Sequence, residues 1–233
     1  MLPSTKEEAR RQLSSLPGLA RAEWGRLAQG LRRLPWYREA QRLLVCPVPG
    51  LAQIRINALV DGKELLVAGA GLKEGFYRLR RQGIPFPELA AAVSAAGLAR
   101  YGQRLDVRDL PGQAVDLLVT DALAVGPDGS RLGDGQGHFD LAYAILRQAG
   151  AVDASTPVVA VGSPDQLVAE ALPQDPWDVA VDGWLSPPGL VALSHGRPQP
   201  AGVLWDFLPA RAIRRKRPLW QLAGPERGRS AHG

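Results

Sequence analysis

At 233 residues, with 28 Lys and Arg against 23 Asp and Glu, the chain has a net charge of +5 and a hydrophobic content of 45%. This suits one large α/β domain with a tail, or two small domains, and is ordinary for a globular protein. No apolar run reaches the ~18 residues of a membrane span, residues 1–15 are too polar for a signal peptide, and a lone cysteine excludes an internal disulfide or a thiolate metal cluster. A cytoplasmic protein is the expectation.

Ser4 and Thr5 are cap-type residues ahead of Lys6-Glu7-Glu8-Ala9-Arg10, which predicts a helix beginning near Thr5 with acids in its first turn. Lys6 and Arg10 are four apart and share one face of it. Residues 19–34 form a second helical pattern with Trp24, Leu27, Leu31 and Leu34 as an apolar stripe. A short helix is predicted over 38–42 and a buried strand over 43–48. Cys46 sits in that apolar run and is expected to be an inert thiol. Residues 52–60 read as a helix stopped by Asp61-Gly62, then 63–68 as a strand. Gly and Pro punctuate 69–88 as loop with a short helical piece, followed by an Ala-rich helix over 89–98 and a third strand over 115–120. Beyond the next loop come a helix over 139–148, a strand over 157–162, a turn or helix over 164–170, and a final strand over 179–185. Apolar strands alternating with helices predict a three-layer α/β/α fold with a mostly parallel sheet over residues 1–207.

Residues 211–217 hold five positive charges and no negative one, and residues 208–233 are set apart as a basic, partly disordered tail. No aromatic residue is interleaved within 211–217, so nucleic acid is not an expected partner. His138, His195 and His232 lie far apart without metal-ligand spacing, which argues against zinc.

The most informative stretch is Arg131-Leu132-Gly133-Asp134-Gly135-Gln136-Gly137-His138-Phe139-Asp140. Three glycines at every second position, after a strand and before a helix, describe a loop that offers bare backbone N–H groups to an anion. The spacing is neither the dinucleotide fingerprint nor a P-loop. A purely structural turn remains an equal reading of the glycines alone.

With its flanks, the loop resembles the 5-formyltetrahydrofolate cyclo-ligase (methenyltetrahydrofolate synthetase) family, which carries Arg-Leu-Gly-x-Gly-x-Gly-Tyr-Tyr-Asp. The resemblance extends to Lys6 and Arg10 as an N-terminal Lys-x-x-x-Arg, to residues 55–67, and to Gln166 and the 172–182 stretch ending in Asp178-Val179-Ala180-Val181-Asp182. It is closer to the divergent branch of synthetase-domain-containing proteins, through Asp140-Leu141-Ala142-Tyr143-Ala144, Arg197-Pro198 and Gly202 with Trp205-Asp206. The family's fold implies a NagB/ribose-phosphate isomerase/CoA-transferase-like arrangement of the layers.

The resemblance implies an ATP- and Mg²⁺-dependent ligase: ATP phosphorylates the formyl oxygen of 5-formyltetrahydrofolate, N10 attacks the carbon, and phosphate leaves to give 5,10-methenyltetrahydrofolate. It implies ATP binding by Lys6, Arg10, Gly133, Asp134, Gly135, Gln136, Gly137 and His138. It further implies folate contacts from Gly137, His138 and Phe139, and Mg²⁺ held by Asp140 and Asp178. The expected partner is a folate-type small molecule, and the expected state a monomer or homodimer, with no membrane.

Departures from the family pattern are also legible. Asp134 and Gln136 stand where active members place basic residues, and a like charge ~4 Å from a phosphate costs about 4 kcal/mol at an effective ε near 20. The Tyr-Tyr pair is His138-Phe139, the folate-contacting Glu has no counterpart near residues 50–53, and Trp177 replaces the His before Asp178. A catalytically degenerate member that binds folate or nucleotide is therefore the alternative. An isomerase or transferase on the same fold, with Asp121 as its base, is a third reading.

Overall fold

The computed structural model describes residues 5–229. Helix α1 (Lys6–Leu13) starts where the Thr5 hydroxyl accepts the Glu8 amide at 3.3 Å, satisfying one of the donors a helix start leaves free. α2 (Arg21–Arg33) and α3 (Pro35–Glu39) are divided at Leu34, because Pro35 can open a helix but not continue one. The short helix expected over 38–42 accordingly lies earlier, and Arg42 already belongs to strand β1 (Arg42–Val45). α4 (Ala52–Val60) and β2 (Glu64–Ala68) fall where the sequence puts them.

The stretch 69–88 differs from expectation by containing a strand, β3 (Phe76–Leu79). The Ala-rich segment is two helices, α5 (Leu89–Ala92) and α6 (Ala95–Tyr101). The break is at Ser94, whose hydroxyl takes the Gly97 amide at 3.1 Å and so caps a new start. Then come β4 (Gln103–Leu105), β5 (Leu117–Asp121), the hairpin β6 (Ala124–Val125) and β7 (Arg131–Leu132), α7 (His138–Gln148) and β8 (Val158–Val161). Strand β9 (Gly183–Ser186) begins later than expected and is not the last, because β10 (Gly189–Ala192) pairs antiparallel with it.

The sheet order is β10-β9-β8-β5-β1-β2-β3-β4. The five strands from β9 to β2 run parallel, while β10, β3 and β4 add antiparallel edges. Side chains alternate across it with the period-2 pleat. Leu43, Val45, Leu65, Val67, Leu117 and Val119 join the core under α2, α4, α5 and α6. Leu44, Leu66, Leu118, Val158 and Ala160 join the opposite core with Tyr143 and Ile145 of α7. Both faces are covered, which is why the central strands are apolar throughout.

The segment read as a basic tail packs on this body through residues up to Leu222. It forms α8 (Ala210–Arg215) and α9 (Arg217–Arg229), and Leu219 enters the α7-side core with no exposed surface. The Arg217 amide donates to the Lys73 carbonyl at 2.9 Å, its guanidinium reaches Asp106 at 3.0 Å, and the Val107 amide donates to Gln221 at 3.1 Å. A few apolar residues among the charges suffice to dock it. His232 lies outside the described residues. No helix among the described residues is long and apolar enough to cross a membrane.

If α9 is docked in this way, Leu219→Ala should lower unfolding stability by about 2–4 kcal/mol in a denaturant titration. A loss below about 1 kcal/mol would mean that the helix packs loosely or not at all.

Candidate functional site

The parallel strands send their carboxyl ends to one side of the sheet, the side where open α/β sheets hold ligands. There Cys46 after β1, Asp121 at the end of β5 and Val161 at the end of β8 floor a cleft of about 600 Å³. The glycine loop forms one wall. Gly135 (φ 89°) and Gly137 (φ 62°) adopt left-handed backbone, and Gly137 is the residue from which α7 starts. Asp134 turns the loop itself: its carboxylate accepts the Gln136 amide at 2.9 Å. Gln136 is exposed and stands apart from the cleft-lining residues, whereas Gly133, Asp134, Gly135, Gly137, His138 and Phe139 line it.

Helix α1 lies against this loop and brings Lys6 and Arg10 to the cleft together. The Arg10 Nε donates to the Gly133 carbonyl at 3.0 Å, and a Cβ placed on Gly135 would stand 3.2 Å from it. Any side chain at 135 would press on that guanidinium. Lys6 pairs with Asp175 at 2.7 Å and also with Asp178, and its ammonium lies 5.8 Å from the Trp177 ring centroid. Trp177, the departure noted beside Asp178, is thus packed on Lys6.

Arg131 is the residue whose weight the sequence hid. It opens the motif as an apparent surface cation, yet its side chain is 5% exposed and its Nη2 donates to both oxygens of Asp140, at 2.6 and 2.7 Å. Its guanidinium stacks 4.8 Å from Phe139, and Asp140 also accepts the Val179 amide at 3.1 Å. Burial by itself would raise the Asp140 pKa, but Arg131, the Val179 amide and Lys6 together hold it below the ordinary carboxylate range. For Asp178 burial wins, and its pKa is raised despite Lys6 and the Asp175 amide. Asp121 is raised too, by burial above all, with Arg131 opposing and Asp134 adding to it. Burial likewise pushes the Cys46 thiol up to about 12, in keeping with an inert group.

The two carboxylates expected to hold Mg²⁺ do not fit one as arranged. Both oxygens of Asp140 are taken by Arg131, and the Lys6 ammonium stands between Asp175 and Asp178 where a cation would have to sit. Among the described residues no group of three His, Cys, Asp or Glu is placed to coordinate a metal. Along the cleft, Lys6, Arg10 and Arg131 face Glu7, Asp121, Asp134, Asp140, Asp175 and Asp178, so the wall is acidic. Near residues 50–53, where no acid stands, an aromatic ring closes in. A Cβ on Gly50 would stand 2.7 Å from Trp24, which lines the cleft and is not a purely core residue.

A model of the 5-formyltetrahydrofolate cyclo-ligase family matches residues 5–187. The methenyltetrahydrofolate synthase domain-containing protein of Mus musculus is 41% identical over 180 residues, covering 76% of this chain and 48% of that protein. Its Homo sapiens namesake is 32% identical over 188 residues, covering 76% and 46%. The chain therefore spans about half the length of the curated relatives it matches. The solution structure of Aquifex aeolicus 5,10-methenyltetrahydrofolate synthetase aligns at a TM-score of 0.49 and 24% identity, covering 82% of this chain and 86% of that one.

Asp140→Asn should cost about 3–5 kcal/mol at neutral pH, because it leaves the buried Arg131 charge without its counter-charge. The folded-state pKa of Asp140 is depressed, so its contribution is complete above the unfolded value and fades as pH falls through the folded one. Urea midpoints taken from neutral pH down to about pH 3 should show that part of the acid dependence missing in the variant. Parallel curves for the two proteins would refute it.

Proposed function

The chain belongs to the 5-formyltetrahydrofolate cyclo-ligase family, and from that premise we propose that it converts 5-formyltetrahydrofolate to 5,10-methenyltetrahydrofolate at the expense of ATP. The observation that carries this reading is the meeting of the glycine loop with Arg10 and Lys6 over a cleft at the carboxyl ends of the parallel strands. The glycine backbone at Gly133, Gly135 and Gly137 and the start of α7 suit a polyphosphate, while the Gln136 amide is taken by Asp134, and Arg10 is held by the Gly133 carbonyl at the same wall. In the reaction the γ-phosphoryl group passes from ATP to the formyl oxygen, and ADP leaves with the β,γ-bridging oxygen. The N10 lone pair then attacks the formyl carbon, the C–O bond breaks as phosphate departs, and N10 gives up its proton. Asp121, a carboxylate of raised pKa on the cleft floor, is the group suited to accept it. Mg²⁺ enters this reading only as the counter-ion that ATP carries in solution.

A second reading is favoured by the acidic wall and by Asp134 in the loop: a family member that binds folate or nucleotide without turnover. The two separate in one experiment. Protein mixed with MgATP and 5-formyltetrahydrofolate should generate the absorbance of methenyltetrahydrofolate, and calorimetry should register ATP binding. ATP binding without product would leave the second reading standing and dismiss the first. In the active case Arg10→Ala should raise the KM for ATP about tenfold, while Asp121→Asn should lower kcat with that KM unchanged.

A further inference from the structure

The family match ends at residue 187, yet the chain continues around the molecule and returns to the cleft. Phe207 packs on Trp177 with ring centroids 4.9 Å apart. Further on, Pro218 lies beside Gly75, and Arg217 is tied to Lys73 and Asp106. Between these contacts Lys216 is drawn inward, and its ammonium donates to the Gly71 carbonyl. On the other side of Gly71 stands His138, whose Nε2 would be 3.6 Å from a Cβ built at that glycine. His138 lines the cleft, whereas Lys216 and Gly71 are not among the lining residues, so Lys216 approaches the cleft from behind His138.

We propose that Lys216, with Lys73 beside it and His138 on the cleft side, forms an anion subsite for the outermost phosphate or carboxylate group of the ligand bound in the cleft. The proposal rests on the cleft being the nucleotide and folate site. Three observations carry it. Among the described residues, no carboxylate lies within ion-pair distance of Lys216 or Lys73, although Lys216 is half-buried. Partial burial penalises an ammonium that has no counter-charge, and an anion at this place would supply one. Lys216 has three donors, and the Gly71 carbonyl accepts from one. The cleft itself is acidic, so a polyanionic ligand needs cations from outside its lining. The charges also act on each other as a cluster would: burial and then Lys73 lower the Lys216 pKa, and burial and then Lys216 lower that of His138, against Asp134.

The test compares the wild-type chain with Lys216→Gln, which removes the charge but can still donate to Gly71, and with Lys216→Arg, which keeps the charge. ATP, 5-formyltetrahydrofolate and inorganic tripolyphosphate are titrated separately by calorimetry at two salt concentrations. Lys216→Gln should weaken at least one probe about tenfold and flatten its salt dependence, while Lys216→Arg stays near wild type. Loss confined to ATP and tripolyphosphate identifies a phosphate at the subsite; loss confined to 5-formyltetrahydrofolate identifies its glutamate carboxylates. Wild-type affinity for every probe in Lys216→Gln would overturn the proposal and leave Lys216 as a brace for Gly71. If the wild type binds tripolyphosphate but neither ATP nor 5-formyltetrahydrofolate, the functional reading fails while the anion subsite is still judged by the variants. No binding of any probe overturns both.

Discussion

The buried pair of Arg131 and Asp140 is the contact on which the site depends. It joins the last residues of the β6–β7 hairpin to the first turn of α7, and through the Val179 amide it joins both to the segment approaching β9. The glycine loop is the span between the two partners, so the pair fixes both ends of a loop that has few side chains of its own to hold it. Because the pair is nearly dry, its attraction is strong and its loss would strand a charge away from water. A loop made permissive by glycine thereby keeps one shape.

The same pair settles how charge is distributed in the cleft. An Asp at this position could face a ligand or a metal; here it faces Arg131 and is spent on structure. Lys6 does the equivalent for Asp175 and Asp178. The carboxylates of the wall are largely answered from within the protein, and Asp134, which has no ion-pair partner among the described residues, is turned into a loop brace by the Gln136 amide. Positive charge missing from the loop itself comes instead from elements distant in sequence, Arg10 from α1 and Lys216 from the turn before α9. The cation complement of the site is therefore a property of how the two ends of the chain pack, which no local motif records.

Element by element, the strands with the strongest patterns were legible because burial on both faces forces an unbroken apolar run, as in β1, β2, β5 and β8. The strands without such a pattern are short or partly covered. In β3 the middle residues Tyr77 and Arg78 are half-buried, and β10 is a four-residue edge with no fully buried residue. The division of α5 from α6 was written in Ser94, a cap residue hidden inside an alanine-rich run. Arg131 carries no signal of its own in the motif, since nothing local distinguishes a buried arginine from a solvated one.

By itself the sequence determined the alternation of strand and helix, the placing of the glycine loop between them, and the facing of Lys6 and Arg10 along one helix, because these follow from periodicity and spacing over a few residues. Tertiary structure alone decided which charges neutralise one another, that Asp140 answers Arg131, and that the C-terminal segment docks with Leu219 in the core and Lys216 beside His138. Those outcomes rest on burial and on distances between residues up to 145 positions apart, and the energy of a charge is set by what surrounds it, which a linear pattern does not contain.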